Sequence, residues 1–396
     1  MDRKDIKKLL VIAGVFLVFY FLPVSSSSPV FSRISAGLNE ALLMMNDYAR
    51  AHVLLCLVPA FFIAGAISVF VNGNSVIKYL GAGAGIVTAY AVGAGSGFII
   101  AVCSCTILPI FAGIYFRGAG IGPATAFLYS GPAINILAIS MTARVLGLEL
   151  GIARTVLSIS FSIIIALCMA FIFRKDDKDR LENIQTEESG ETGIALWRII
   201  VLTGSLIGFL IFANFGDPGT SSGPLHFIRS IKWYLAAFFG ISSILSALLL
   251  FNKKLIKEWL LSTLDFTLKV TPLLFAGVLA AGFLLGRPGH EALIPSAWVV
   301  SLLGGNSFLT NLFAAAAGAL MYFATLTEVP IIQGLVGAGM GKGPALTLLL
   351  AGPAVSLPAI LVLSGILKWK KTLTYLGLVI FSSAIAGYIF GLFQGH

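Results

Sequence analysis

The stretch from Cys103 to Ile139 occurs twice, and the second copy starts 221 residues on. Its motifs are Cys103-Ser104-Cys105-Thr106-Ile107-Leu108-Pro109, Gly118-Ala119-Gly120-Ile121-Gly122-Pro123-Ala124 and Gly131-Pro132-Ala133-Ile134-Asn135. They align with Thr327-Glu328-Val329-Pro330, Gly339-Met340-Gly341-Lys342-Gly343-Pro344-Ala345 and Gly352-Pro353-Ala354-Val355-Ser356. Over 104–139 the copies agree without a gap at 15 of 36 positions, including Pro109, Pro123 and Pro132 and the glycines at 113, 118, 120, 122 and 131. Shared apolar composition would repeat Ala and Leu, not the spacing of Gly and Pro. The chain is therefore built on a duplicated unit.

The solvent of that unit follows from its charge content. Only 11% of the residues are charged and 58% are hydrophobic, against roughly a quarter charged in soluble domains. This is the composition of a polytopic membrane protein. The excess of 26 basic over 17 acidic residues does not indicate nucleic acid, because the basic residues fall in short runs between apolar segments, as cytoplasmic loops require. Cys56, Cys103, Cys105 and Cys168 all lie in apolar stretches, which argues against a disulfide framework. The N-terminus resembles a signal peptide, but Ser25-Ser26-Ser27-Ser28-Pro29 follows it instead of a small-residue cleavage site, so an uncleaved first span is expected.

A span needs roughly 20 apolar residues. Leu9–Val24 is read as the first span, Phe31–His52 as an amphipathic surface helix and Val53–Val71 as the second span. The glycine-rich region 81–117 is a re-entrant hairpin or two short spans, with small residues that allow close helix approach. Ile121–Thr142 and Ile152–Phe173 close the first repeat, 1–173. A hydrophilic linker, 174–195, is expected to be a solvated cytoplasmic loop. Region 196–231 holds the linking span Leu196–Phe215 and an external Gly/Ser/Pro loop. The second repeat, 232–396, carries spans at Trp233–Phe251 and Val270–Gly286, a second hairpin at 296–342, then Pro344–Leu367 and Leu373–Phe393. With the N-terminus inside and each hairpin counted as an even number of crossings, 18 of the 26 Lys and Arg residues are cytoplasmic, as the positive-inside rule requires. Under this count the linking span inverts the second half. The expected fold is all-α, with two inverted repeats whose broken hairpin helices meet at the bilayer midplane, as in many secondary transporters.

Proline removes a backbone donor and clashes with the preceding turn, and freed backbone at membrane depth survives only against protein or a water-filled cavity. Pro109, Pro330, Gly131-Pro132 and Gly352-Pro353 interrupt apolar segments at matching places, which points to a midplane binding site. Pro123 and Pro344 suit helix starts, and such starts offer dipole ends to that site. The candidate substrate-binding residues are Cys103, Cys105, Thr106, Pro109, Ser130, Gly131, Pro132 and Asn135 in the first copy. Thr327, Glu328, Pro330, Gly352, Pro353 and Ser356 are their counterparts in the second. Asn135 and Ser356 occupy equivalent positions, either lining the cavity or bonding between helices. Cys103-x-Cys105 is the soft-ligand pair, a candidate for metal or metalloid thiolate binding, set against two buried cysteines acting as small hydrophobes. Cys56 and Cys168 read as structural.

Glu328 is a carboxylate deep in an apolar region, a functional-site position by default. Burial favours the uncharged form of a carboxyl, which suits a proton-coupling group that takes up a proton as substrate leaves. The bland reading is a Glu paired with a loop Lys or Arg. No nucleotide motor is present, since Gly343 follows Gly341-Lys342 where a P-loop needs Ser or Thr. No cofactor site is read.

At Cys103-Ser104-Cys105-Thr106-x2-Pro109, Gly118-x3-Gly122-x-Ala124 and Gly131-Pro132-Ala133-x-Asn135 the sequence resembles the predicted-permease family of organoarsenical efflux permeases and their YraQ-like relatives. Thr327-Glu328-Val329-Pro330 and Gly352-Pro353-Ala354 resemble that family's second half. The resemblance implies a multi-pass inner-membrane permease. It also implies export of trivalent organoarsenicals, with Cys103 and Cys105 as metalloid ligands.

The sequence thus favours a secondary transporter exporting a small soft or thiol-reactive solute, with proton coupling as an option. A carrier for another small anion or sulfur compound is the alternative within transport. An intramembrane thiol-dependent enzyme lacks a base, because no His falls in an expected span, and a structural subunit is the remaining class. The partners expected are a small-molecule substrate and membrane lipids, without nucleic acid; a homo-oligomer is compatible with the sequence. The cell membrane is the expected location, with the N-terminus and the 174–195 linker cytoplasmic.

Overall fold

The structure is a computed structural model describing residues 29–70, 80, 85–100, 104–134, 136–187, 195–215, 224–287, 290, 292–293, 302–321, 328–337 and 339–394. The expected first span Leu9–Val24, the 216–223 loop and the residues Cys103, Asn135 and Thr327 lie outside the described residues. In chain order the described elements are α1 (Pro29–Tyr48), a π-helical stretch (Ala49–Leu57), α2 (Val58–Phe70), α3 (Ile86–Ile100), α4 (Ser104–Phe116), α5 (Ile121–Ala133), α6 (Ile136–Val145) and α7 (Leu148–Ile172). Next come α8 (Arg174–Glu187), α9 (Leu196–Ala213), α10 (Pro224–Leu250) and α11 (Lys253–Leu285). The chain ends in α12 (Phe308–Leu320), α13 (Glu328–Gly337), α14 (Lys342–Ala354) and α15 (Leu357–Phe393). Among the described residues five helices are long and apolar enough to cross a bilayer; α5 and α6, bent by 48° at their break, bring the number to six when the pair is counted as one span. The chain is an all-α, multi-pass membrane protein.

The 221-residue offset governs conformation far beyond the stretch where the sequences match. Adding it to the bounds of α7 gives the second limb of α15, and α15 is kinked at Lys368, the equivalent of Gly147. Gly147 has φ 104° and Lys368 φ 66°, both with ψ near 150°, a conformation that only glycine adopts without strain. The close approach at the starts of α5 and α14 is also shared. A Cβ on Gly122 would strike the Tyr90 hydroxyl, and one on the equivalent Gly343 would strike Asn306 and the Gly387 carbonyl. Gly120 and Gly341 cap these helices in the same extended conformation. The expected helix starts at Pro123 and Pro344 are therefore present, each proline being the third residue of its helix.

The helix breaks also coincide. α5 ends at Ile134 (φ −106°, ψ 51°) and α14 at the equivalent Val355 (φ −146°, ψ 136°), two residues after Pro132 and Pro353. Every residue of α5 is buried, and every residue of α14 except Lys342, so the freed backbone at both breaks is enclosed by protein. Pro109 and Pro330 behave differently from the expectation. α4 runs unbroken through Pro109, and Pro330 sits in the first turn of α13. Proline is tolerated there because first-turn amides have no partner in the helix, and Pro109, five residues in, forfeits a single bond to a first-turn carbonyl.

Two hairpins flank these bent spans. The Gly120 amide donates to the Leu80 carbonyl at 2.7 Å, so α3 leaves from the end of the bundle to which α4 returns. With 15 and 13 residues, each reaches about 20 Å, short of a full crossing. α12 and α13 repeat the arrangement, the Gly341 amide donating to the Leu303 carbonyl at 3.4 Å. Residues 101–103 and 322–327, which connect the two helices of each pair, lie outside the described residues. α5 begins beside the last turns of α7, where Gly122 meets Ala170. α14 begins at the other end of α7, where Lys342 approaches Glu149 at 3.6 Å. Lys371, at the start of the second limb of α15, approaches Asp176 at 3.9 Å just past the end of α7.

The charged linker is not a free loop. Arg174–Glu187 forms α8 and clamps the turn between α4 and α5. Asp177 accepts from the Ile121 amide at 2.8 Å, and Arg180 donates to the Tyr115 and Ala119 carbonyls while stacking on the Tyr115 ring at 3.9 Å. The carboxylate occupies the α5 helix start, so that start serves α8 and not a midplane ligand. The basic run Lys253-Lys254-Leu255-Ile256-Lys257 opens the 33-residue α11. α1 lies along α11, tied by Arg287 to Glu40 at 2.9 Å and Asp47 at 3.0 Å.

Two predictions follow from these local devices. Lys368→Gly relieves the left-handed strain and stabilises the protein by about 1 kcal/mol, read as a rise in melting temperature in detergent; a fall would mean that the Lys368 side chain offsets the strain. The hydrogen bonds from Arg287 hold the Glu40 carboxyl below the usual carboxylate range. Its contribution is complete above the unfolded-state value and is lost as pH falls through the lowered folded value. Protease cleavage within α1 is therefore expected to rise only in acid, and Glu40→Gln to show high cleavage already at neutral pH.

Candidate functional site

α7 is apolar outside and polar within. Ile152, Val156, Ile159, Ile163 and Phe171 are exposed, as a lipid-facing stripe requires, while Arg154, Ser158 and Ser162 repeat at four-residue spacing on the buried face. That spacing stacks the three side chains on one side of the helix. Arg154 is completely buried. Its Nη1 donates to Thr142 Oγ1 on α6 at 2.8 Å and lies 2.5 Å from Glu328 Oε1. Thr142 is fixed in turn by donating to the Ala138 carbonyl at 2.7 Å. Glu328, 1% exposed, is the first residue of α13. The pair therefore joins the two copies, α7 of the first to the start of α13 in the second.

The pair is incompletely satisfied. Among the described residues, Nε and Nη2 of Arg154, Oε2 of Glu328 and the Ser158 hydroxyl have no hydrogen-bond partner. The Nη1–Oε1 approach is a charge contact, not an aligned hydrogen bond. A guanidinium carries five N–H donors, and an orphaned buried donor costs about 1–3 kcal/mol. Packing does not demand this arrangement. Under the 221-residue offset Arg154, Ser158, Thr142 and Glu328 correspond to Tyr375, Val379, Leu363 and Ile107, all buried. The same place in the other copy is thus closed without an ion pair, the Tyr375 hydroxyl donating to the Ala354 carbonyl at 3.3 Å.

A second contact marks where the copies meet. The Tyr129 hydroxyl donates to the Leu350 carbonyl at 3.4 Å, and these residues are themselves 221 apart. The contact thus joins equivalent positions of the two copies. Around it α6 packs on α13 and α4 on α15, a reciprocal exchange of hairpin and bent span.

The other expected site residues are distributed as follows. Thr106 is buried with its hydroxyl against Cys56 Sγ, which makes Cys56 a neighbour of the Cys-x-Cys segment and not an isolated core residue. Cys105 lies in the first turn of α4. The Ser130 hydroxyl is spent on the Phe127 carbonyl at 3.3 Å. Gly131, Pro132, Gly352 and Pro353 form the buried last turns before the breaks. The Ser356 hydroxyl accepts from the Ala359 amide at 3.4 Å and caps α15. Pro330 is exposed. Among the described residues no group of three or more His, Cys, Asp or Glu is placed to hold a metal ion.

Residues 38–392 match the family model described as "Predicted permease". The chain belongs to this predicted permease family. The UPF0718 protein MJ0584 of Methanocaldococcus jannaschii is 42% identical over 366 residues, covering 92% of this chain and 98% of that protein. The UPF0718 protein YraQ of Escherichia coli is 47% identical over 58 residues, 15% of this chain and 17% of that one. No solved structure matches significantly. Membership makes the molecule a membrane transporter, and the geometry singles out Arg154 and Glu328 within the permease.

Sequence reasoning reached Glu328 but missed its partner. Arg154 stands six residues into α7, where a hydropathy window places it at the membrane surface. The duplication held the missing signal, because Arg154 and Glu328 are each charged where the other copy is not.

Removing one partner leaves a buried charge uncompensated at a cost of about 3–5 kcal/mol, while replacing both is often neutral. Arg154→Met is therefore expected to lower the melting temperature of the purified permease sharply, and Arg154→Met with Glu328→Gln to recover most of it. A double variant as unstable as the single would make the pair a packing requirement.

Proposed function

We propose that this permease is a secondary transporter of the cell membrane that exports a small soft or thiol-reactive solute, such as a trivalent organoarsenical, with Glu328 as its proton-coupling group. The observation that carries the reading is the one-sided ion pair: Arg154 and Glu328 are buried charges at the seam of a duplicated fold whose other copy closes the same place without them. Ionisable groups at such depth mark transport pathways and proton relays.

The working architecture is two inverted repeats around a midplane site. Its support is that α5 and α14 start at opposite ends of α7, and that α7 and the second limb of α15 start at opposite ends of the bundle. The distribution of basic residues supports a cytoplasmic N-terminus and α8. The soft character of the solute rests on Cys103 and Cys105, whose thiolates would take a thiophile. A carrier for another small anion or sulfur compound uses the same fold, and competition between labelled solutes separates the two.

In cells lacking the permease, the wild-type gene is expected to restore resistance to a trivalent methylarsenical, and Cys103→Ser with Cys105→Ser to abolish it at equal membrane abundance. Export that is unchanged in the double variant would remove the thiols from the mechanism. Glu328→Gln is expected to flatten the dependence of export on external pH, and an unaltered profile would remove Glu328 from coupling.

A further inference from the structure

We propose that Arg154 is the binding residue for a small soft anion, and that Glu328 is the internal stand-in which that anion displaces. The inference rests on the second form of the transport reading, a carrier for a small anion or sulfur compound, and names the charge of the passenger.

Three observations carry it. The Arg154 guanidinium is wholly buried with Nε and Nη2 unpartnered among the described residues, so its donor fork is only partly used. The Ser158 hydroxyl, one turn along the same inward stripe, is buried and unpartnered too, giving an anion a second donor on the same helix. The mirrored set Tyr375, Val379, Leu363 and Ile107 closes its position without charge, so a cation at 154 is not a packing need. A planar guanidinium accepts oxyanions and carboxylates through the same fork, which is why a carboxylate can hold the place of a passenger.

The exchange balances. In the empty site Arg154 faces the Glu328 carboxylate. When a monoanion takes the guanidinium, the released carboxylate, still enclosed, binds one proton, so the loaded site carries the same net charge as the empty one. Proton and anion therefore bind together, the reverse of a carrier that gains its proton as substrate leaves. The other charged and titratable groups on α5, α6, α7, α13, α14 and α15 are the buried phenols Tyr129 and Tyr375, Tyr388 and Cys168, the helix-end groups Arg144, Glu149 and Lys342, and Lys368, Lys370 and Lys371 at the α15 kink. None of these is a carboxylate within the seam, which leaves Glu328 as the acceptor.

The test uses full-length permease purified in detergent, titrated with the monoanions thiocyanate and selenocyanate in weak buffer, with calorimetry for binding and a pH dye for protons. Methylarsonous acid is the neutral soft control. Thiocyanate is expected to bind with uptake of about one proton per protein. Arg154→Gln is expected to weaken binding by about tenfold or more. Glu328→Gln is expected to keep binding but take up no proton, and the melting curve of Arg154→Gln with Glu328→Gln controls for folding. Anion binding that survives unchanged in Arg154→Gln, binding without proton uptake by the wild type, or no binding of either anion overturns the assignment. Export of the neutral arsenical alongside any of those results leaves the transporter reading standing, whereas loss of both sinks the two together.

Discussion

A polar backbone inside a bilayer has to find its partners within the protein, and everything in this permease is arranged around the two places where the helices give way. Ile134 and Val355 leave helical geometry at equivalent points. Each break is enclosed because α5 and, after Lys342, α14, both rich in small residues, are buried and lie against each other at the Tyr129–Leu350 contact. The long helices α7, α10, α11 and α15 carry exposed apolar side chains to the lipid, and the short helices fill the space beside the breaks.

Duplication gives that frame a symmetry, and the chemistry departs from it. Glycine positions, caps, breaks and even an unfavourable backbone angle at Lys368 follow the 221-residue offset. The Arg154–Glu328 pair does not, nor does the Ser158 hydroxyl beside it. Where a frame repeats and its charges do not, packing no longer explains the charges. An ion pair with unused donors, set in a protein interior, costs stability that an apolar pair would not, and its retention on one side only is the physical reason to look for the passenger there.

Much of this was legible in the sequence, and the exceptions have specific causes. Gly131-Pro132 and Gly352-Pro353 announced the breaks because proline chemistry is local. Pro109 misled because a proline near a helix start forfeits too little to break it, and only the position of the start decides which case applies. The run Arg174–Arg180 reads as solvent-exposed by composition; what folds it is a set of distant partners, the Ile121 amide and the carbonyls of Tyr115 and Ala119. Arg154 escaped because one charge in a 25-residue apolar helix barely moves an average, although the comparison of the two copies would have exposed it.

The central claim is that the Arg154–Glu328 pair opens when the permease is loaded. Infrared difference spectroscopy of the purified protein, with and without a bound soft anion, reads the carboxyl of Glu328 directly. The account predicts that a protonated-carboxyl band appears on loading and is missing from Glu328→Gln. A Glu328 carboxylate that stays ionised in both states would contradict it.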